Sequence, residues 1–525
     1  MEIIDAKMHL SKYRGFPFRE HQEEAIKFII ESDKRFVFLE APTGSGKSLI
    51  AMCSGMAMGG VTYAVHSKIL QTQITQDFPE AQSLFGRSNY PCLVNEELTC
   101  DECFHTRQTP CSEKHSCYYE VQKNLVLASQ LQILNYDYLL SEINYVGRFS
   151  ESAFNIIDEA DNLENTLVNF VTLTFTNYAL SRLGLAEEAE QLKKTSKNSE
   201  RLLESWISFG KQAEASAKDI LRGLARVIAG FGADPSADQA RVIKEQVRVK
   251  RLLEKITLFL ENVDKSWVLD DSQDDRYIFR PLWLTPSLAE NFLWRHSRRW
   301  VLMSASFLPL HLECKRLGIP IDEVDYRCLP STFPPENRRV VVNPVADITA
   351  KTIDTEIPKL VKEVKKILSL HPNERGMIHS VSYKLANAVY EGVANPRLLI
   401  HDSGNRQEVL NEFLLSTTNA VMLSPSMERG ISLDMDKARF QIILKMPWLS
   451  LGDRIVSARV YGSKMGQEWF QATALLSVLQ ACGRACRSED DSSVTYVLDY
   501  QFKRVLLQKP LFLPQWFKDA IEFSY

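Results

Sequence analysis

A short apolar strand that runs into a glycine-bearing loop and then into a helix leaves a chain few folds to choose from. Here Phe36-Val-Phe-Leu-Glu40 leads into Ala41-Pro-Thr-Gly-Ser-Gly-Lys-Ser48, and residues 48–58 have helical character. That order is the setting of a phosphate-binding loop in a parallel α/β sheet. Ala41 stands where the motif begins with glycine, while Thr43, Gly44, Ser45, Gly46, Lys47 and Ser48 keep the working parts. The glycines let main-chain N–H groups close round phosphate oxygens, Lys47 neutralises the outer phosphates, and the Ser48 hydroxyl suits Mg²⁺. The helix start adds its positive dipole end.

The second half of a nucleotide site lies downstream. Phe154-Asn-Ile-Ile-Asp-Glu159 is an apolar strand ending in two carboxylates. At its carboxyl end Asp158 would hold Mg²⁺, and Glu159 would orient and deprotonate the attacking water. An ordinary capping pair is the bland alternative, and the upstream loop argues against it. Between these halves sit five cysteines, Cys92, Cys100, Cys103, Cys111 and Cys117, half of the chain's 10. Such clustering in one short segment points to metal rather than to a disulfide scaffold.

With 525 residues the chain has room for roughly three to five domains. No stretch of about 18 uninterrupted apolar residues occurs, and the start has no basic region followed by an apolar core, so a cytoplasmic protein without a membrane span is expected. The net charge of -4 argues weakly against nonspecific nucleic-acid binding, although a basic groove would suffice. Trp294-Arg-His-Ser-Arg-Arg-Trp300 and Arg248-Val-Lys-Arg251 are the local basic clusters; each is either such a groove or a solvated helix face. Residues 87–117 have little periodicity and read as loop. From about 168 to 270 apolar residues recur at helical spacing, as in Leu202–Ile207 and Ile220–Ile228, with a second charged helix over about 238–262, which suggests a helical insertion. Pro330-Ser-Thr-Phe-Pro-Pro335 reads as a linker. Beyond it, Gly376–His379, Ala420–Leu423, Phe440–Leu444 and Val494–Leu498 are short strands separated by helical stretches, which predicts a second parallel sheet. Near its end, Gln480-Ala-Cys-Gly-Arg-Ala-Cys-Arg487 places Arg484 and Arg487 three apart on a presumptive helix, able to reach a γ-phosphate across a domain cleft. Cys482 and Cys486 read as small buried apolar residues.

Taken in order, these segments resemble the superfamily 2 DNA helicases of the XPD/DinG type, which carry an iron–sulfur cluster. Phe16-Pro-Phe-Arg-Glu-His-Gln22 is similar to the family's adenine-recognition segment, with Arg19 and Gln22 as contacts, and Gln480 belongs to its last motif beside the nucleotide. Val65–Gln73 is similar to its first DNA-contacting motif, and Leu302-Met-Ser-Ala-Ser306 to the one coupling hydrolysis to movement. Gly86-Arg-Ser-Asn-Tyr-Pro-Cys92 and Cys117-Tyr-Tyr119 resemble the flanks of its cluster domain. Two departures stand out: Asp161 replaces the histidine that usually ends Asp158-Glu-Ala-Asp161, and Glu428-Arg-Gly-Ile-Ser-Leu433 lacks the usual acidic pattern of the fifth motif.

Four thiolates suit either a [4Fe–4S] cluster or Zn²⁺, and His105 and His115 add candidate zinc ligands. Spacing does not decide. The resemblance favours iron–sulfur, with Cys92 and Cys117 as outer ligands, Cys103 and Cys111 inside, and Cys100 as the alternative. It also implies the fold class: α/β, two RecA-like parallel-sheet motor domains, the first carrying a cysteine-rich metal-cluster insertion and a helical arch. The expected division is first motor domain over 1–90, 121–167 and 273–328, cluster domain over 91–120, arch over 168–272, and second motor domain over 329–525. The implied activity is an ATP- and Mg²⁺-dependent DNA helicase, a monomer moving 5′ to 3′ on single-stranded and forked DNA, in DNA repair or replication. RNA remodelling, and a nucleotide-gated DNA-binding or redox-sensing module with little hydrolysis, are the competing readings.

Overall fold

The computed structural model describes residues 2–103, 111–149, 154–194, 199–232, 235–270, 273, 275–425, 433, 435–486 and 490–524. The apolar runs at the start of the chain become β1 (Phe36–Glu40), β2 (Val61–Val65), β3 (Gln82–Leu84), β4 (Leu131–Asn135) and β5 (Asn155–Asp158). An insertion adds β6 (Leu173–Thr176), β7 (Trp267–Asp270) and β8 (Arg276–Pro281), after which β9 (Trp300–Ser304) and β10 (Val324–Cys328) complete the first sheet. That sheet has seven parallel strands in the order β10-β1-β9-β5-β2-β4-β3. β1, β2, β5 and β9 are buried along their whole length. Burial on both faces is what parallel strands connected by helices require, and alternate residues enter opposite cores. Phe36, Phe38, Ile157 and Leu302 face one cluster, while Val37, Leu39, Ile156 and Val301 face the other.

The second sheet is built from β11 (Val340–Ala346), β12 (Gly376–His379), β13 (Leu398–Ile400), β14 (Val421–Ser424), β15 (Phe440–Ile443), β16 (Val494–Asp499) and β17 (Ile521–Phe523). It too is parallel, in the order β13-β14-β12-β15-β16-β11-β17. The two RecA-like sheets expected from the strand–helix alternation are therefore present.

The insertion after β5 is more than helical. Two long helices, Ser199–Ile228 and Ala237–Asn262, pack on a three-stranded antiparallel sheet, β6-β8-β7. Phe279 of β8 meets Phe175, Trp206 and Phe259 at centroid distances of 6.4, 5.5 and 5.0 Å, so the insertion has an aromatic core of its own. The helical spacing of residues 168–270 does not predict this sheet.

In the basic segment Trp294–Trp300, the two tryptophans and Arg299 anchor the first motor domain, while Arg295 and Arg298 are exposed. Trp294 and Trp300 are fully buried, edge to face at 5.2 Å, and each indole N–H donates to a main-chain carbonyl. Arg299 spends its guanidinium on the carbonyls of Ile29 and Ile30. Arg248 pairs with Glu245 at 2.8 Å, and Arg251 pairs with Asp101 of the cysteine segment.

Candidate nucleotide and metal sites

The order β1-β9-β5 sets three carboxyl ends side by side. β1 delivers the phosphate loop, β9 delivers Ser304, and β5 delivers Asp158. Ligands of open α/β sheets bind outside such carboxyl ends. Gly44 and Gly46 have φ of +86° and +76°, the left-handed region open to glycine. A Cβ on Gly44 would also lie 2.1 Å from the Phe333 ring of the interdomain linker. Gly46 caps the helix Lys47–Ala57, whose first N–H groups face the loop. The Lys47 ammonium donates to the Ala41 carbonyl at 3.0 Å, and Ser45 to that of Pro42 at 2.7 Å. Thr43 faces the second motor domain, 3.9 Å from where a Gly483 Cβ would stand.

Arg19 and Gln22 brace this loop. The Arg19 guanidinium donates to Gly44 O and the Gln22 amide to Ser45 O, each at 2.9 Å. Ser48 and Asp158, the Mg²⁺ candidates, meet through Tyr63. Its phenol donates to Asp158 Oδ2 at 2.5 Å and contacts the Ser48 hydroxyl. Tyr136 donates to the Asp158 carbonyl. Neither tyrosine stands out in the sequence, although Tyr63, a phenol in an otherwise apolar buried strand, signals a polar partner nearby. For Mg²⁺ the donor set fits: a hydroxyl and a carboxylate converging beside a glycine loop are hard oxygen ligands.

Glu159 follows at φ 55°, a conformation that non-glycine residues seldom adopt, and it ends β5 abruptly. Burial pushes its carboxyl up to about 7, and Asp158 and Asp161 add to the rise. Lys47 and Arg484 pull it back, so the loop lysine and the second domain's arginine both act on this carboxylate. Arg484 does not lie on a helix, however. The helix Lys464–Cys482 stops two residues earlier, with Gly483 as its C-cap, and Arg484 occupies the turn beyond. Arg487 and residues 426–432 fall outside the described residues.

Asp161 joins the two domains. It accepts from Ser304 Oγ at 2.8 Å and from the Gln480 amide at 3.0 Å, so the aspartate standing in for histidine links the β9 motif to the last motif. In the Val65–Gln73 segment, Ser67 caps the helix Lys68–Asp77 and Gln71 is buried against β3 and β4. His66 and Ile69 remain exposed, Ile69 by 82%.

Among the described residues the cysteine segment is held by a bridge between Pro91 and Thr99, by a capping box over Cys100–Glu102 and by the packing of Leu98 on helix Ala237–Asn262. Cys100 is buried with its sulfur 3.7 Å from that of Cys117. Cys103 is exposed, and Cys92 and Cys111 are half-buried. Among the described residues no three His, Cys, Asp or Glu side chains form a ready metal cage. His105 lies outside them. The donor chemistry itself, five thiols along one loop with little core, fits a thiolate-ligated centre.

Comparison with known proteins agrees with the two-sheet fold. A DEAD/DEAH box helicase model matches residues 19–176, and a helicase C-terminal domain model matches residues 364–520. Among solved structures, the chain resembles one titled XPD helicase, at 16% identity and TM-score 0.62, covering 97% of this chain and 100% of the other. Xpd4 of S. tokodaii is similar at 15% identity and TM-score 0.58, with 97% and 100% covered. A structure titled XPD apo gives 14% and 0.58, with 96% and 100% covered. No curated protein matches the chain.

Proposed function

Because the chain is a superfamily 2 helicase with the fold of the XPD helicases, we propose that it spends ATP to travel 5′ to 3′ along single-stranded DNA and to part a forked duplex. The observation that carries the ATP-driven part of this reading is the meeting of loop, carboxylates and arginine between two motor domains, joined by the Ser304–Asp161–Gln480 bonds; likeness to XPD structures supports DNA as the track.

Lys47 and the N–H groups of residues 44–48 hold the phosphates, and Ser48 and Asp158 would hold Mg²⁺. Glu159 takes the proton of the attacking water. Arg484, with Arg487, neutralises the charge that spreads over the transferred phosphoryl group, a contribution worth about 10³–10⁵ in kcat when an arginine acts in this way. Gln480 and Asp161 report closure of the second domain on the first. The exposed face of the Val65–Gln73 segment, the cysteine loop and the arch would line the DNA path, where backbone contacts make binding tolerant of sequence and sensitive to salt.

A [4Fe–4S] cluster would staple the cysteine loop, which has little core of its own. Cys92 and Cys117 flank it. The approach of Cys100 to Cys117 supports Cys100 as a ligand ahead of the exposed Cys103, with Cys111 as the fourth.

The test is DNA-stimulated ATPase of Lys47→Ala, together with unwinding of forks carrying a 5′ or a 3′ tail. Loss of stimulated hydrolysis and unwinding from the 5′ tail alone are expected. Retained stimulation in Lys47→Ala, or equal stimulation by RNA of the same length, refutes the DNA-motor reading.

A further inference from the structure

Directly after the Asp158–Asp161 turn, the helix Leu163–Val171 begins, and its first turn carries Glu164. Glu164 is buried, and it receives two arginines from different domains. Arg316, on the helix Leu310–Leu317 of the first motor domain, approaches Glu164 Oε2 at 3.5 Å and also donates to the Asp161 carbonyl. Arg459, on the helix Arg454–Gly462 of the second motor domain, donates to Glu164 Oε1 at 2.6 Å. Arg459 is only 5% exposed, which is rare for an arginine unless it is fully engaged.

It is engaged three ways. Its Nε donates to the Leu282 carbonyl at 2.6 Å. Its guanidinium lies 4.3 Å from the Trp283 ring centroid and 4.9 Å from that of Trp469, and these rings meet edge to face at 5.7 Å. Leu282 and Trp283 immediately follow β8, the strand by which the chain leaves the insertion. Arg454, from the same helix, donates to Leu269 O on β7 at 3.5 Å. One helix of the second domain therefore grips the turn behind the nucleotide carboxylates, strand β7 of the insertion sheet and the residues that directly follow β8.

We propose that Arg459 is a positioning residue that transmits movement of the second motor domain to the insertion. A planar guanidinium suits the task, because its fixed fork holds a carboxylate and a carbonyl while its faces stack on aromatic rings. A point charge on a flexible stem cannot meet all three. When the second domain shifts with the nucleotide, the exit strand of the insertion shifts with it, and the first turn of helix Leu163–Val171 registers the same motion. The proposal rests on the ATP-driven cycle above, and its test reads motion separately from unwinding.

Fluorophores placed on helix Ser199–Ile228 and on helix Ile353–Leu370 report the distance between the insertion and the second domain. In the wild type this distance changes when a non-hydrolysable ATP analogue binds. In Arg459→Gln, and in the isosteric Glu164→Gln should the first variant fold poorly, the change falls below one-third of the wild-type amplitude. ATPase stimulated by single-stranded DNA stays within about threefold, while base pairs opened per ATP fall at least tenfold. Arg459→Lys restores folding but not the distance change. A distance change lost in the variants of a protein that fails to unwind DNA leaves transmission standing and removes the helicase reading. No change in the wild type, or full amplitude in both variants, overturns the transmission proposal. So does a loss of ATPase that matches the loss of unwinding.

Discussion

Glu159 shows how a single residue's surroundings set its chemistry. A carboxylate in water would be charged down to its ordinary value near 4.5, but burial beside Asp158 and Asp161 raises Glu159 to about 7. Below that value it holds its proton and cannot accept one from water; above it, it is a competent base. The raised value therefore predicts that kcat/KM for ATP falls about tenfold per pH unit below about 7, since this parameter reports the free enzyme. A flat profile down to pH 5 would contradict the assignment. Glu159→Gln should lower hydrolysis by about 10²–10⁴ while nucleotide still binds, which separates the base from the Lys47 cradle. The pair Asp158-Glu159 was legible because an apolar strand ending in two carboxylates is a local pattern. Tyr63 was not, because its partner lies 95 residues away and only the β2–β5 pairing brings them together. Asp161 was likewise read as a departure from the family pattern, and its bonds to Ser304 and Gln480 could be seen only once both sheets were in place.

Elements differ in how far their own sequence specifies them. The phosphate loop and its helix were read within one residue, because the special φ of Gly44 and Gly46 and the helix start are encoded in adjacent positions. Helix Lys464–Cys482 ends before the position its arginine spacing suggests: Gly483 ends it, and glycine after a helix is the signal that places Arg484 in the turn. The antiparallel sheet of the insertion was missed because β6 and β8 pair across about a hundred residues, Leu173 with Phe279, and each strand alone is too short to outweigh its helical neighbours. In the cysteine loop, spacing leaves the ligand set open, and the structure separates Cys100, which is buried, from Cys103, which is exposed. If Cys100 is a ligand, Cys100→Ser in anaerobically purified protein should lose most of its iron and acid-labile sulfide, together with the visible charge-transfer absorption. Cys103→Ser should retain them. Zinc in place of iron, or the reverse ranking of the two variants, would remove the assignment.

At the scale of the whole molecule, the cysteine loop touches helix Ala237–Asn262 of the insertion. Two kinds of contact hold it there. Arg251 pairs with Asp101, but Arg251 is 59% exposed, and a surface pair of this kind contributes about 0.2–1 kcal/mol and is screened by salt. Leu98 is 2% exposed, packed with Ala240 and Ile243 of helix Ala237–Asn262, and Asn95 donates to the Pro235 carbonyl at 2.8 Å. Truncating a buried leucine costs about 2–5 kcal/mol. The apolar contact therefore dominates, and the loop should stay docked on the insertion at salt concentrations that erase the ion pair. Leu98→Ala should raise amide hydrogen exchange in the first turns of helix Ala237–Asn262 and shorten the residence of single-stranded DNA at least tenfold. Arg251→Gln should leave exchange there unchanged and shorten residence by less than about threefold, an effect that disappears in 0.5 M salt. The opposite order would mean that charge, rather than the buried leucine, holds the loop against the insertion. Unchanged residence in Leu98→Ala despite faster exchange would mean that this contact does not retain the DNA.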